Sequence, residues 1–572
     1  MAAGVPACRI LLESQRAVRD ARPKSIFWGE LINDAQRIKQ LMPRNALLFI
    51  VCLTLLMSPC TYATQKEITG TWVGIVVFDK PVPVRLHFHS DESALNGLLT
   101  MPFDDLVDVP LTSVTAAEGE IAFELKHESG VFSFRGTFSS GTLSGQATAA
   151  GKSGTFELVR TVTVNPKEFF GAYELESGRR FFIRTWDELG ENQLTYFDDE
   201  GRVGALHAKS ETEFLVGPAN WIPLPVETQI LFERGHDGKV KAGKWKSKNT
   251  DAAKFTRLPH LEEDVTIQGK VGNLAGTLFI PAGTGPFPAL VLVHGSGPVT
   301  RDFFGPIGYM FASRGIAVIC YDKRGVGGSQ GHWLDAGFED YASDALSAVR
   351  YLKNRKEIRP DSIGLWGASQ AGWIIPQASV EGGDVAFAVM LSVPGVTPFE
   401  QELGRTKEEM LLSGMGEDAI AGAISQLKSE IDSLRAEEVK SELESQVQKI
   451  QAEGNPGKLN SSGPSNPRFL LFYRRILDYS PIPSLEKMKC PVLVLYGELD
   501  RNCPASLNRP LLENAFKKAG NEDVTFVLLP QGDHVLMQSE TGSGREFPYS
   551  NRFVPGLFEI MVNWILSTAK SD

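Results

Sequence analysis

Cysteine is scarce in this chain, with six in 572 residues. The six are spaced neither as a zinc site nor as a CxxC redox pair, which excludes the structural-zinc and dithiol classes. Cys8, Cys52 and Cys60 fall in a stretch that carries the marks of a removable leader. Cys490 and Cys503 flank an apolar run that reads as one strand, whose two ends are too far apart to bridge. Cys320, Cys490 and Cys503 are therefore expected as free thiols. A basic excess is missing as well: the net charge is −11, and without a basic patch or tail nucleic acid is not the main partner. Long apolar runs are also lacking. ALLFIVCLTLLM at 46–57 is a dozen residues, short of the ~20 that a membrane helix needs.

That run has the length of a signal-peptide core. Arg44 precedes it, and Thr61 and Ala63 are small residues placed for a cleavage after Ala63. Met42 is a natural start for such a signal (42–63), so residues 1–41 read as a non-native upstream extension. The competing reading is a cytoplasmic tail ahead of a signal anchor, with the apolar run stretched to Ala63. Cys60 follows Pro59, which disfavours a lipoprotein cleavage box. The expected product begins near Thr64 and is exported, periplasmic or secreted, with no membrane span after cleavage.

The composition of the whole chain is ordinary for soluble globular protein, 42% apolar and 22% charged, and its length allows two or three compact units. From 65 to 258 apolar residues recur at every second position: Val84, Leu86 and Phe88, then Ile121, Phe123 and Leu125, then Phe132 and Phe134. A period of two broken by Gly, Ser and Asp turns predicts antiparallel strands with one buried face. Two β domains are expected, 65–164 (GTWVG to FELVR) and 165–258 (FFGAYELESG to AAKFTRL). His87 and His89 would share one side of a strand, a spacing that can bind metal. Lacking a third ligand nearby, they read as solvated or packed histidines.

After Pro259 continuous apolar runs alternate with stretches of helical spacing. The runs are FPALVLVHG, GIAVICYDKRG, SIGLWGAS, VAFAVMLSVPG, PVLVLYGELD and VTFVLLPQGDH. Strands buried on both faces and joined by helices predict a mostly parallel sheet of the α/β class, with functional residues at the strands' carboxyl ends. SIGLW is followed by Gly367-Ala368-Ser369-Gln370-Ala371-Gly372. A serine nucleophile needs such a tight strand-to-helix turn, with small neighbours two residues away. FPALVLVHG ends in His294-Gly295-Ser296-Gly297, a loop whose N–H can join that of the residue after the serine in binding an oxyanion. Ser296 and Gln370 are assigned to that hole, and His294, ahead of the serine, to structure. Asp500 and His534 follow in the order the chemistry uses, each just past a strand end. Of the nine histidines only His534 lies beyond Ser369. Glu498 and Asp533 are rival acids, read as loop residues. In this reading His534 takes the serine proton and Asp500 holds the imidazole.

HGSGP with Arg301-Asp302, YDKRGVGGS at 321–329, GASQAGW, GELD and GDH together resemble the bacterial α/β-hydrolases of the carboxylesterase and dienelactone-hydrolase-like group, over about 262–570. The front β region more faintly resembles lipocalin-like barrels. The first resemblance implies an α/β-hydrolase fold with an eight-stranded core sheet, and hydrolysis of a small-molecule ester at Ser369, Asp500 and His534, with Ser296 and Gln370 as oxyanion hole. It implies no metal or organic cofactor. Two departures are Ala368, where many members have histidine, and Ala371 for glycine. RGVGGS is not a phosphate loop, since no GK[ST] follows; the resemblance makes it structural.

Between VAFAVMLSVPG and PVLVLYGELD an insertion (398–485) carries Ile420, Ile424, Leu427, Ile431 and Leu434, then Val439, Leu443, Val447 and Ile450, at helical steps with a slip between Leu434 and Val439. It is expected to form a helical cap that shapes the acyl or alcohol pocket; a solvated helical excursion or a dimer contact is the plainer alternative. Competing functions are an acyl-thioester hydrolase and a serine peptidase of the prolyl-oligopeptidase kind. The stretch 65–258 is too short for seven propeller blades of ~40–50 residues. A third reading makes the β half a binding protein with an accessory hydrolase.

Overall fold

The computed structural model describes residues 67–569 apart from 92–93, 102–105, 128–129, 191, 455 and 462. The expected leader, the upstream extension and Cys8, Cys52 and Cys60 lie outside these residues. Among the described residues no helix is long and apolar enough to cross a membrane. Two compact units are present. One runs through Val164 and takes in His207–Leu231; the other holds Asn165–Leu206 and everything from Phe232 onward.

The first unit is built on a nine-stranded antiparallel meander between Gly70 and Thr161. Strand Gly70–Val77 pairs with Pro81–Asp91 on one side and with the last strand, Lys152–Thr161, on the other. The two edge strands are Leu106–Pro110 and Ser113–Ala117, and the link between them is tied to both sides. Leu111 N–H donates to the Gly97 carbonyl at 2.8 Å and Thr112 N–H to that of Glu124 at 2.7 Å. The period of two supplies the core: Val84, Leu86, Phe88, Ile121, Phe123, Leu125 and Phe134 are buried around Trp72. Phe123 stacks on Phe134 with centroids 4.5 Å apart. Phe132, on the same strand as Phe134, is only partly buried.

The second unit begins with antiparallel strands, among them Gly171–Leu175, Arg180–Thr185, Leu194–Asp198 and Val203–Ala205, packed around Tyr173, Phe181 and Phe255. Then comes an eight-stranded sheet, labelled here β1 (Leu261–Gln268), β2 (Asn273–Ile280), β3 (Phe287–Val293), β4 (Ala317–Tyr321), β5 (Ile358–Ala368), β6 (Phe387–Leu391), β7 (Val492–Gly497) and β8 (Val524–Leu529). Its order is β1-β2-β4-β3-β5-β6-β7-β8. Pairings from β4 through β8 are parallel, but β2 is antiparallel to both its neighbours. The sheet is therefore mixed at one edge. The reason is local: β1 and β2 are joined by a short hairpin, whereas parallel neighbours need a crossover of a dozen or more residues. Crossover helices α1 (Ile307–Ala312), α2 (Phe338–Lys353) and α3 (Ala371–Gly382) follow β3, β4 and β5. The central strands are buried along their whole length, as their unbroken apolar text requires.

The insertion between β6 and β7 is helical: α4 (Pro398–Leu412), α5 (Glu417–Ser433), α6 (Glu437–Ala452) and α7 (Pro467–Ile476). Thr397 opens α4 with a capping box, its hydroxyl accepting from Glu400 N–H at 3.2 Å while Glu400 accepts from Thr397 N–H at 2.9 Å. The slip in periodicity after Leu434 is the turn between α5 and α6. Leu427, Ile431 and Leu434 form a small core with Leu477. Helices α8 (Ala505–Ala519) and α9 (Leu557–Thr568) complete the layer. Cys320, Cys490 and Cys503 are unbridged.

One buried ion pair ties the Gly-rich turn after β4 to α2. Arg324 donates to both carboxylate oxygens of Asp344 at 2.7 and 2.8 Å, with side chains 6% and 5% exposed. Arg324→Met strands a buried carboxylate and should cost about 3–5 kcal/mol, whereas the double change with Asp344→Leu should recover most of it. Urea midpoints of the two variants check this.

Candidate active site

The end of β5 and the start of α3 make a turn with no room in it. Ser369 sits there at φ +55°, a left-handed conformation that a residue with a Cβ adopts only when its surroundings enforce it. Its N–H donates to the Leu391 carbonyl at 3.0 Å and its carbonyl accepts from Gly372 N–H at 2.9 Å. A Cβ on Gly367 would meet the Ala371 methyl at 2.5 Å and the Val293 carbonyl at 2.8 Å. A Cβ on Gly372 would meet that of Val393 at 2.6 Å. Ala371 is thus accommodated because the residue four places earlier has no side chain.

A second close approach brings two loops to this turn. Gly497 ends β7, and a Cβ there would lie 2.3 Å from the Gly532 carbonyl. The backbone of the loop after β7 therefore lies directly on that of the loop after β8, with Leu499 N–H donating to the Gly532 carbonyl at 2.8 Å. Asp500 and His534 face each other across this contact. His534 Nδ1 is 3.0 and 3.1 Å from the two carboxylate oxygens of Asp500, and Nε2 is 3.1 Å from Ser369 Oγ. The Asp500 carboxylate is wholly buried and also accepts from the N–H groups of Asn502 at 2.9 Å and Cys503 at 2.8 Å. Burial pulls the His534 imidazole down; the charge and hydrogen bond of Asp500, with a contribution from Asp533, outweigh it, so its pKa lies above the ordinary value. The rival acids are engaged elsewhere. Glu498 accepts from Gln531 N–H at 3.0 Å. Asp533 accepts from Val535 and Met537 N–H at 3.0 and 2.8 Å, and burial pushes its carboxyl up to about 6.

Ser296 lies in the loop after β3, and Gln370 stands at the head of α3. What joins them is a residue that the sequence reading passed over. Lys323 is 2% exposed, and its ammonium donates to the carbonyls of Gly295 at 2.7 Å and Gly297 at 2.8 Å and to Gln370 Oε1 at 3.1 Å. The carbonyls on both sides of Ser296 are thereby pinned toward the turn at Ser369. Burial pushes this amine down to about 7. The available signal was a lysine in YDKRGVGGS directly after a fully apolar strand, a place where an unpaired charge would be costly. His294 donates from Nε2 to the Tyr321 carbonyl and, being buried, is held neutral with its pKa near 3; it does not meet Ser369. Asp322 completes the frame. It takes Arg301 Nε and Nη2 at 3.0 Å each and Gly328 N–H at 2.8 Å, so RGVGGS wraps a carboxylate and not a phosphate.

Residues 285–541 match the family described as Serine aminopeptidase, S33. Esterase EstD of Thermotoga maritima is 24% identical over 296 residues, covering 50% of this chain and 62% of that protein. Thiohydrolase aneE of Aspergillus aculeatus is 33% identical over 111 residues, covering 19% of this chain and 34% of that protein. The chain thus matches less than two thirds of the length of either relative. Among solved structures, a Pyrobaculum calidifontis esterase aligns over 55% of this chain and 86% of its own at 17% identity, with a TM-score of 0.35. The strand order and the serine turn give the part of the chain from Leu261 onward an α/β-hydrolase fold, and residues 285–541 within it match the family model.

Proposed function

We propose that this protein is an exported serine hydrolase that cleaves carboxylic esters through an acyl-Ser369 intermediate. The observation that carries the reading is the continuous hydrogen-bonded chain Ser369 Oγ, His534, Asp500 on a turn with φ +55°. His534 Nε2 takes the hydroxyl proton as Oγ attacks the ester carbonyl. Asp500 keeps Nδ1 protonated and stabilises the imidazolium that forms. The N–H groups of Gln370 and Ser296 receive the oxyanion, and Lys323 holds that loop against the turn, so these donors need no rearrangement during the reaction. Collapse of the tetrahedral adduct expels the alcohol, which takes its proton from His534. Water, activated by the same imidazole, then frees the acid.

The ester reading is supported by the likeness to EstD over half of this chain. A thioester is the second reading, favoured by the shorter likeness to a thiohydrolase; the same nucleophile serves both. Export rests on the leader features of residues 42–63, and Edman sequencing of protein recovered outside the cytoplasm should begin at Thr64.

Ser369→Ala should abolish p-nitrophenyl ester turnover while leaving the melting profile in place. Lys323→Met should lower kcat by about ten- to a hundredfold with a smaller effect on KM, since a loosened oxyanion donor acts on the transition state. The reaction needs neutral imidazole, so kcat/KM should rise with pH through a midpoint above the usual histidine value of ~6.5. In Asp500→Asn burial is opposed only by the smaller contribution of Asp533. The midpoint should then fall below ~6.5 and kcat should drop by about 10⁴-fold. A pH–rate profile of both proteins decides it.

A further inference from the structure

Ala368, the residue before Ser369, and His534 share the wall of a cavity that the mechanism above leaves without a role. Its lining is almost wholly apolar and largely aromatic. Trp366, Phe304 and Met561 are among its lining residues, and Trp186 and Phe197 come from the β segment that precedes the sheet. None of its lining residues belongs to the helical insertion 398–485. The β strands take that place because their loops are fastened to the two loops that flank the site. Trp186 Nε1 donates to the Phe303 carbonyl at 3.0 Å, and Thr300 Oγ1 donates to Asp187 at 2.6 Å. Val203 N–H donates to Asn551 and Phe553 N–H to Gly201, both at 2.8 Å. Phe197 sits edge-on between Trp186 and Phe553, 5.1 Å from each.

We infer that this cavity receives the acyl group, that it takes a short, uncharged, apolar chain, and that Trp186 and Phe197 set the chain length. The inference rests on the ester-hydrolase reading. Position argues for the acyl side: Ala368 is covalently next to the nucleophile, and its small side chain leaves the space open. Size argues for a short chain. The cavity is about 100 Å³, below the roughly 150 Å³ that holds a benzene ring in an apolar protein interior. Charge argues against an anionic acyl group, because Glu188 lines the same cavity beside Asp187. The lining offers an alkyl chain area to bury and an ionised one no partner.

The test is the ratio of kcat/KM for p-nitrophenyl octanoate over butanoate. The full chain should prefer butanoate. Trp186→Ala and Phe197→Ala lengthen the pocket and should raise the ratio by about tenfold or more, whereas Ala368→Leu fills it and should lower butanoate relative to acetate by a similar factor. The filling variant keeps the test decisive if removal of the indole prevents folding. A ratio that stays within twofold of the parent in folded Trp186→Ala and Ala368→Leu overturns the inference. To separate that outcome from failure of the ester reading, the same variants are treated with p-nitrophenyl ethyl- and octylphosphonates. Ser369 Oγ attacks phosphorus, p-nitrophenolate leaves and His534 takes the proton, so intact mass reports labelling without any ester turnover. Labelling that is absent in the parent, or retained in Ser369→Ala, counts against the nucleophile. Ser369-dependent labelling with no dependence on chain length in any variant counts against the pocket alone.

Discussion

At the end of β5 the chain turns through a serine held in left-handed backbone, and the turn exists because the atoms around it leave no alternative. Gly367 and Gly372 are each pressed against a neighbour at a distance where one more carbon would collide, Gly367 against Ala371 and Val293 and Gly372 against Val393. The strain of Ser369 is therefore maintained by the packing of β3, β6 and α3, elements whose stability comes from apolar burial along the sheet. The same device recurs where Gly497 lies against Gly532. Close approaches at two places, the turn at Ser369 and the contact of Gly497 with Gly532, thus set the distances among Ser369, His534 and Asp500.

Around that frame, charge is buried in matched arrangements along one short stretch. Within 321–329, Asp322 meets Arg301, Lys323 meets three oxygen acceptors, and Arg324 meets Asp344. Each would be costly alone and is tolerable only because its partners are fixed. This gives the Gly-rich turn its importance. Its charged residues couple the loop after β3, the turn at Ser369 and helix α2 into one surround.

The β strands from 171 to 205 extend this surround. Arg184 is nearly buried and pairs with Glu262 on β1 at 2.6 Å and Asp302 at 2.9 Å. Backbone hydrogen bonds join 201–203 to 551–553. These strands share a compact unit with the sheet and the loop that bears His534. Removing them would uncover Phe553, Phe303 and the cavity beside the site, which is why 262–570 is not expected to behave as a separable hydrolase.

Much of this was legible from residue order. Apolar runs buried on both faces identified the parallel strands, a small-x-Ser-x-small turn marked Ser369, and the absence of any other histidine beyond it left His534. The slip after Leu434 marked the boundary between α5 and α6. Other features had no local signature. The antiparallel β2 follows from a hairpin whose text differs little from that of its neighbours, and the partners of Lys323 lie on segments far from it in the chain. The wall contributed by Trp186 and Phe197 reads in one dimension as any β core. By itself the sequence determined the type of each element and the chemistry available at each strand end, because periodicity and residue type are local. Only the tertiary structure decided which buried charge meets which acceptor and which aromatic rings enclose the space beside Ser369, because those contacts join residues that the chain keeps far apart.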